Sequence, residues 1–161
     1  MRTILICMMM TLSVSLLAQK KNKSNKNFEH TVETDASSEA IWQIWTDVNN
    51  WKSWDIGLSD ARMDAEFKEG NKGLIISLEG RKSKFKIISV KENESYIIRT
   101  RLPLGSLYLQ RVLSQRNGRV TFTHKVWFKG VSRGLFAKLF GEKFRQMLPE
   151  AMENIDNLAS K

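Results

Sequence analysis

The sequence predicts an α+β fold in which a curved antiparallel sheet of six to seven strands wraps around one long C-terminal helix, with two short helices after the first strand. Three observations lead there. Turn-forming residues recur at Gly70-Asn71, Gly80-Arg81, Asn93-Glu94, Pro103 to Gly105 and Asn117-Gly118, and the runs between them are short and rich in strand formers. The final stretch, from Ser132 to Ala159, carries apolar residues at helical spacing instead. A shorter helical pattern interrupts the chain only near its beginning. With 161 residues the chain has room for one such domain.

The elements follow in order. Phe28 to Thr34 alternates and reads as a first strand. Asp35, Ser37 and Ser38 are helix-start residues, and Glu39 supplies an acid where the helix dipole favours one. Ala40, Ile41, Ile44, Trp45 and Val48 then fall on one helical face, and NNWKSWD makes a second short helical piece or turn. The runs LIISL, FKIISV, SYIIRTRL, SLYLQRVL and VTFTHKVWF come next, with Asn117-Gly118 the strongest hairpin signal among their turns. No helix separates them, so they form an antiparallel meander and not βαβ units. The closing helix places Leu135, Leu139, Phe140, Phe144, Met147, Leu148, Ala151, Met152, Ile155 and Leu158 on its apolar side, with a kink expected at Pro149. One helix cannot cover so wide a sheet unless the sheet curves, and curvature leaves a space between the two.

The chain before this domain divides into two pieces. Residues 1–18 have a short positive start at Arg2 and an apolar run from Ile4 to Ala18, the pattern of a secretory signal peptide cut after Ala18. The run is short for a membrane span, which wants roughly 20 apolar residues. Residues 19–26 form a basic flexible linker containing Lys20, Lys21, Lys23 and Lys26, and residues 27–161 form the domain. The expected location is therefore outside the cytoplasm, periplasmic or secreted. The single cysteine, Cys7, lies within the signal segment, which excludes disulfides and thiolate chemistry from the exported chain.

The full chain carries a formal charge of +9. Its basic residues are spread over many segments with no nucleic-acid motif beside them, so no nucleic-acid partner is expected. The lysine-rich linker could touch an anionic membrane surface.

Several words in the chain carry a family resemblance: AIWQIWTDVNNWKSWD (Ala40 to Asp55), GNKGLIISLEG, NGRVTFTHKVWFKG and LFAKLFGEKFRQMLPEAMENIDNLA. Together they resemble the START-type helix-grip superfamily (SRPBCC), in its polyketide cyclase/dehydrase-like branch, over about Phe28 to Leu158. The resemblance implies a hydrophobic pocket between the sheet and the long helix. Members bind or transport lipids, sterols, polyketides and plant hormones, serve as co-chaperone-like modules, or in a minority catalyse ring closures. The family name is thus not an activity, which must be argued from the site.

Few residues could carry chemistry. His30 and His124 share strand parity with apolar neighbours, Phe28 and Val32 for the first and Phe122, Val126 and Phe128 for the second, which puts both on the concave face. In the resembling fold the first and last strands are neighbours, so the two rings could approach. Gly130-Val-Ser132-Arg-Gly134 matches a nucleophile-elbow pattern, but no histidine follows Ser132, and the serine is expected to cap the long helix. Arg99, Arg101 and Arg111 would select a carboxylate or phosphate only if they pointed inward. Trp42, Trp45, Trp51 and Trp54 are expected to plug one end of the core. No metal set or cofactor motif is present, and no cofactor is expected.

The reading that results is an exported protein that binds or transports a lipid-like or aromatic small molecule. His30, Phe122, His124, Val126, Phe140, Phe144 and Met147 are the expected pocket lining. The alternatives are a cyclase- or dehydratase-like enzyme using a pocket histidine, and an envelope interaction module with a filled core.

Overall fold

Alternation of buried and outward side chains begins with the first described residue. A computed structural model describes residues 27–161; the expected signal peptide and basic linker lie outside them. Strand β1 (Asn27–Thr34) buries Phe28 and Thr34 while Glu29, Thr31 and Glu33 face out. Thr34 ends the strand with two bonds: its hydroxyl accepts the Ala36 N–H at 2.9 Å and donates to the Asp156 carboxylate near the far end of the chain. Helix α1 (Ser38–Thr46) starts where the Ser37 hydroxyl accepts the Ala40 N–H at 3.1 Å, and it buries Ile41, Trp42 and Trp45. A 3-10 turn (Val48–Ser53) follows and buries Val48 and Trp51.

The remaining strands are β2 (Leu58–Arg62), β3 (Lys72–Ser77), β4 (Lys82–Lys91), β5 (Ser95–Leu102), β6 (Gly105–Arg116) and β7 (Arg119–Gly130). They form one seven-stranded sheet of order β1-β7-β6-β5-β4-β3-β2, antiparallel at each pairing. The sheet curls around α2 (Arg133–Ala159), as the sequence predicts. Strand β2 is the seventh strand, which no apolar run announced. Its sequence LSDAR buries only Ala61, and its pairing with β3 shifts register between Leu58 and Asp60.

Helix α2 is one continuous helix that contains Pro149. One local expectation is corrected. Ser132 stands at the N-cap position but gives no side-chain cap; its hydroxyl donates to the Pro103 carbonyl at 2.7 Å and ties the β5–β6 turn to the start of α2.

The interior falls into two apolar clusters. One gathers the four tryptophans of α1 and the following turn with Phe85, Ile87, Tyr96, Phe122, Met152 and Ile155. The other joins Phe28, Val126 and Phe128 to Ala137 and Leu148, with Phe136, Phe140 and Phe144 half-buried around it. Helix α2 meets β1 closely at Gly141, where a Cβ would come within 2.6 Å of the Phe28 ring.

Candidate ligand site

Between those clusters runs a layer of polar side chains, placed by strand register. His30 on β1 stands opposite His124 on β7, His124 opposite Arg111 on β6, and Arg111 opposite Tyr96 on β5. Along β7, Phe122 belongs to the first cluster and Val126 to the second, with His124 between them. Because side chains alternate across a strand, all four of these residues share the concave face with their apolar neighbours.

Arg111 is 1% exposed and lies among three aromatic rings. Its guanidinium carbon is 4.6 Å from the Trp54 ring centre, 5.0 Å from Trp51 and 5.2 Å from Tyr96, each within cation–π range. Its Nε and Nη1 have no hydrogen-bond partner among the described residues, and no carboxylate oxygen there forms an ion pair with it within 4.0 Å. Burial pushes its pKa down to about 9, against the weaker pull of the Asp55 charge. The group therefore remains a cation at neutral pH.

His124 is 1% exposed, with ring centres 5.4 Å from Trp45 and 6.2 Å from both Trp54 and Phe122. Burial holds its pKa well below 6.5, and the charges of Arg111 and His30 push the same way. The imidazole is thus neutral at pH 7, with Nε2 unpaired. Trp45 and Trp54 also bury unpaired indole N–H groups. Trp51 differs: its indole donates to the Trp45 carbonyl at 2.9 Å, and the Tyr96 hydroxyl donates to the same oxygen at 3.4 Å.

Asp55 follows Trp54 directly. Its Oδ1 accepts the Gly57 N–H at 3.0 Å. Enclosure of the carboxyl raises its pKa, and the charges of Arg111 and Lys143 only partly offset that. The residue as a whole keeps some contact with solvent.

Buried polar groups are ordinarily satisfied, and each that is not costs about 1–3 kcal/mol. Arg111, His124, Trp45 and Trp54 account for all but one of the buried unpaired side-chain nitrogens among the described residues; the other is Arg99 Nε. Three of the four side chains are donors only, and one is a fixed cation. Such a set matches a ligand whose polar end accepts hydrogen bonds and carries negative charge, with its apolar part against the rings.

The residues singled out from the sequence separate into groups. His30, half-buried on the edge strand, His124 and Phe122 adjoin the polar layer. Val126, Phe140 and Phe144 belong to the second cluster, where Phe140 stacks on Phe136 at 5.9 Å and Phe144 on Phe28 at 6.1 Å. Met147 packs over Gly57, next to Asp55. Of the three strand arginines, Arg111 alone points inward; Arg101 is exposed and Arg99 shares its outward parity. Arg111 had a sequence signal, since it shares parity with Leu107, Leu109 and Leu113. Asp55 had no periodic signal; it closes the Ala40–Asp55 word but sits in a turn, where spacing assigns no face.

No family model matches the chain, and no curated protein matches it in sequence. Solved structures do match in fold. A protein from Arthrobacter aurescens superposes with a TM-score of 0.65 at 19% identity, over 84% of this chain and 87% of that one. Norcoclaurine synthase from Thalictrum flavum gives 0.63 at 15% identity, over 84% and 87%; it has also been solved in complex with dopamine and hydroxybenzaldehyde. The di-domain aromatase/cyclase StfQ of the steffimycin biosynthetic pathway gives 0.69 at 6% identity, over 84% of this chain and 51% of that one. At these identities the likeness establishes the fold, which is the helix-grip fold that the sequence resemblance implied.

Proposed function

We propose that this domain binds a hydrophobic small molecule, lipid-like or aromatic, whose acidic head is held by Arg111 within the Trp51/Trp54/Tyr96 cage. The observation that carries the reading is the buried guanidinium with two unpaired nitrogens, flanked by the unpaired His124, Trp45 and Trp54 nitrogens. The fold supports it, because a helix-grip neighbour, norcoclaurine synthase, is solved with aromatic small molecules bound. The rest of the reading is that the protein works outside the cytoplasm after losing residues 1–18. The Lys20–Lys26 linker would then add a weak contact with anionic membrane.

The test compares acids with their uncharged counterparts by calorimetric titration: laurate against dodecanol, and cinnamate against cinnamyl alcohol. A charge-assisted hydrogen bond contributes about 1.5–3 kcal/mol, so the acids should bind at least ~10-fold tighter, and Arg111→Met should erase that preference. Equal binding of acid and alcohol by the native chain would overturn the assignment.

A second reading rests on His124, a neutral imidazole with a free nitrogen beside a fixed cation. Such a group can take a proton from a substrate whose developing negative charge Arg111 stabilises. On that reading His124→Ala abolishes turnover while ligand binding persists.

A further inference from the structure

The exposed large apolar side chains among the described residues are Leu78, Leu104, Val131, Leu135 and Leu139, and four of the five meet at one end of the molecule. Leu104 occupies the β5–β6 turn in a left-handed conformation (φ 57°) and is 77% exposed. That turn rests on the β7–α2 connection: the Ser132 N–H donates to the Leu104 carbonyl at 3.4 Å. Gly130 (φ 100°) lies so close that a Cβ would stand 2.5 Å from the Leu104 oxygen. Val131, next in the chain, is 89% exposed. Leu135 and Leu139, four apart, form an exposed apolar stripe along the start of α2, which begins two residues after Val131. The four side chains thus form a single apolar tip built from two loops and a helix.

Charge around the tip is predominantly positive; the nearest acid along α2, Glu142, stands three residues beyond Leu139 on the same face and is paired with Arg145. The segments 99–107 and 129–141 contain Arg99, Arg101, Lys129, Arg133 and Lys138 and no Asp or Glu. None of these five cations has an ion-pair partner among the described residues. The basic character continues onto the sheet: at the outward positions of β3 to β7 every charged side chain is Lys or Arg. Acids pair with this field at its rim, Glu29 with Lys125, Glu33 with Arg119 and Glu94 with Lys91.

We propose that this end docks on an anionic lipid bilayer, with Leu104, Val131, Leu135 and Leu139 entering the acyl boundary while Arg101, Lys129, Arg133 and Lys138 meet the phosphate headgroups. Aliphatic side chains projecting from a ring of cations match the two layers of such a surface. A second copy of the chain is disfavoured as the occupant, because it would set the same unpaired cations against each other. Behind the stripe stand Phe136, Phe140 and Phe144 of the second cluster. The docked face therefore leads toward the interior, and a hydrophobic ligand could pass between bilayer and domain. That last step rests on the proposed function; the docking does not.

The test is co-sedimentation of the chain lacking residues 1–18 with vesicles of phosphatidylcholine alone and of phosphatidylcholine mixed with phosphatidylglycerol. Binding is expected to the mixed vesicles only and should weaken as salt rises. Each surface cation contributes about fivefold, so Arg133→Glu with Lys138→Glu should reduce binding by tenfold or more. Leu135→Ser with Leu139→Ser should do the same, since the tip supplies the apolar contact. Both double variants keep the residues of the polar layer and should unfold at the temperature of the native chain. Equal vesicle binding by native chain and variants overturns the proposal, because the Lys20–Lys26 segment, present in all, would then carry the attachment. A stable oligomer in solution that Leu135→Ser/Leu139→Ser dissolves overturns it in favour of a second copy. Binding to polyglutamate without binding to any vesicle overturns it in favour of an acidic protein partner.

Discussion

Replacing Arg111 by methionine separates a side chain kept for a ligand from one kept for the fold. Burial lowers the Arg111 pKa from its ordinary value to about 9, and at about 1.4 kcal/mol per unit this is several kcal/mol against holding the cation there. The rings of Trp51, Trp54 and Tyr96 return part of it, about 0.5–2 kcal/mol each. Methionine removes the charge and the unpaired donors, and its flexible thioether can fill the space among the rings. The expected result is a gain of about 1–3 kcal/mol in unfolding free energy, or roughly 3–10 °C in Tm. The same variant loses its preference for acids over alcohols. Urea titration at neutral pH with tryptophan fluorescence as readout measures the first quantity directly. A loss of about 3 kcal/mol or more, the cost of breaking a buried pair, would refute the reasoning. Arg111 would then be satisfied within the fold, with Asp55 as its partner in charge.

Stability should also depend on pH through His124. The folded chain resists protonating this ring, whose pKa lies well below 6.5, while the unfolded chain accepts a proton near 6.5. Its contribution is therefore complete above about pH 6.5 and is lost at up to about 1.4 kcal/mol per pH unit below it. Asp55 acts in the opposite sense: its raised pKa favours the folded state below the ordinary 3.8, and that contribution fades as pH rises through the folded value. Urea titrations across the acid range should show a flatter slope below pH ~6.5 for His124→Gln than for the native chain; identical slopes would exclude His124 as the source. At the α2–β1 contact, Gly141→Val should cost about 1–3 kcal/mol, because its Cβ would press on the Phe28 ring at 2.6 Å. An unchanged denaturation midpoint would show that the helix can shift at that point.

Alternation along Phe28 to Thr34 and Val120 to Phe128, Asn117-Gly118 and its companion turns, and the helical spacing from Leu135 to Leu158 determined the fold. Each is a local signal, readable because strand and helix periods and turn chemistry act over a few residues. Strand β2 escaped because LSDAR carries too little apolar character to declare a period. The inward side of Arg111 was legible from Leu107, Leu109 and Leu113, and the burial of the tryptophans from their spacing.

What tertiary structure decided is which of these faces meet. Arg111 stands more than fifty residues along the chain from the Trp51 and Trp54 rings that enclose it, and no periodicity links the two segments. Leu104 and Val131 form one tip only because the β5–β6 turn packs on the β7–α2 connection. Lysines and arginines that look evenly scattered along the sequence share one outward face, with acids only at its rim, once the strands are in register. A period of two assigns each residue to a side of its own strand; pairing between strands distant in sequence assigns its neighbours, and charge and binding depend on neighbours.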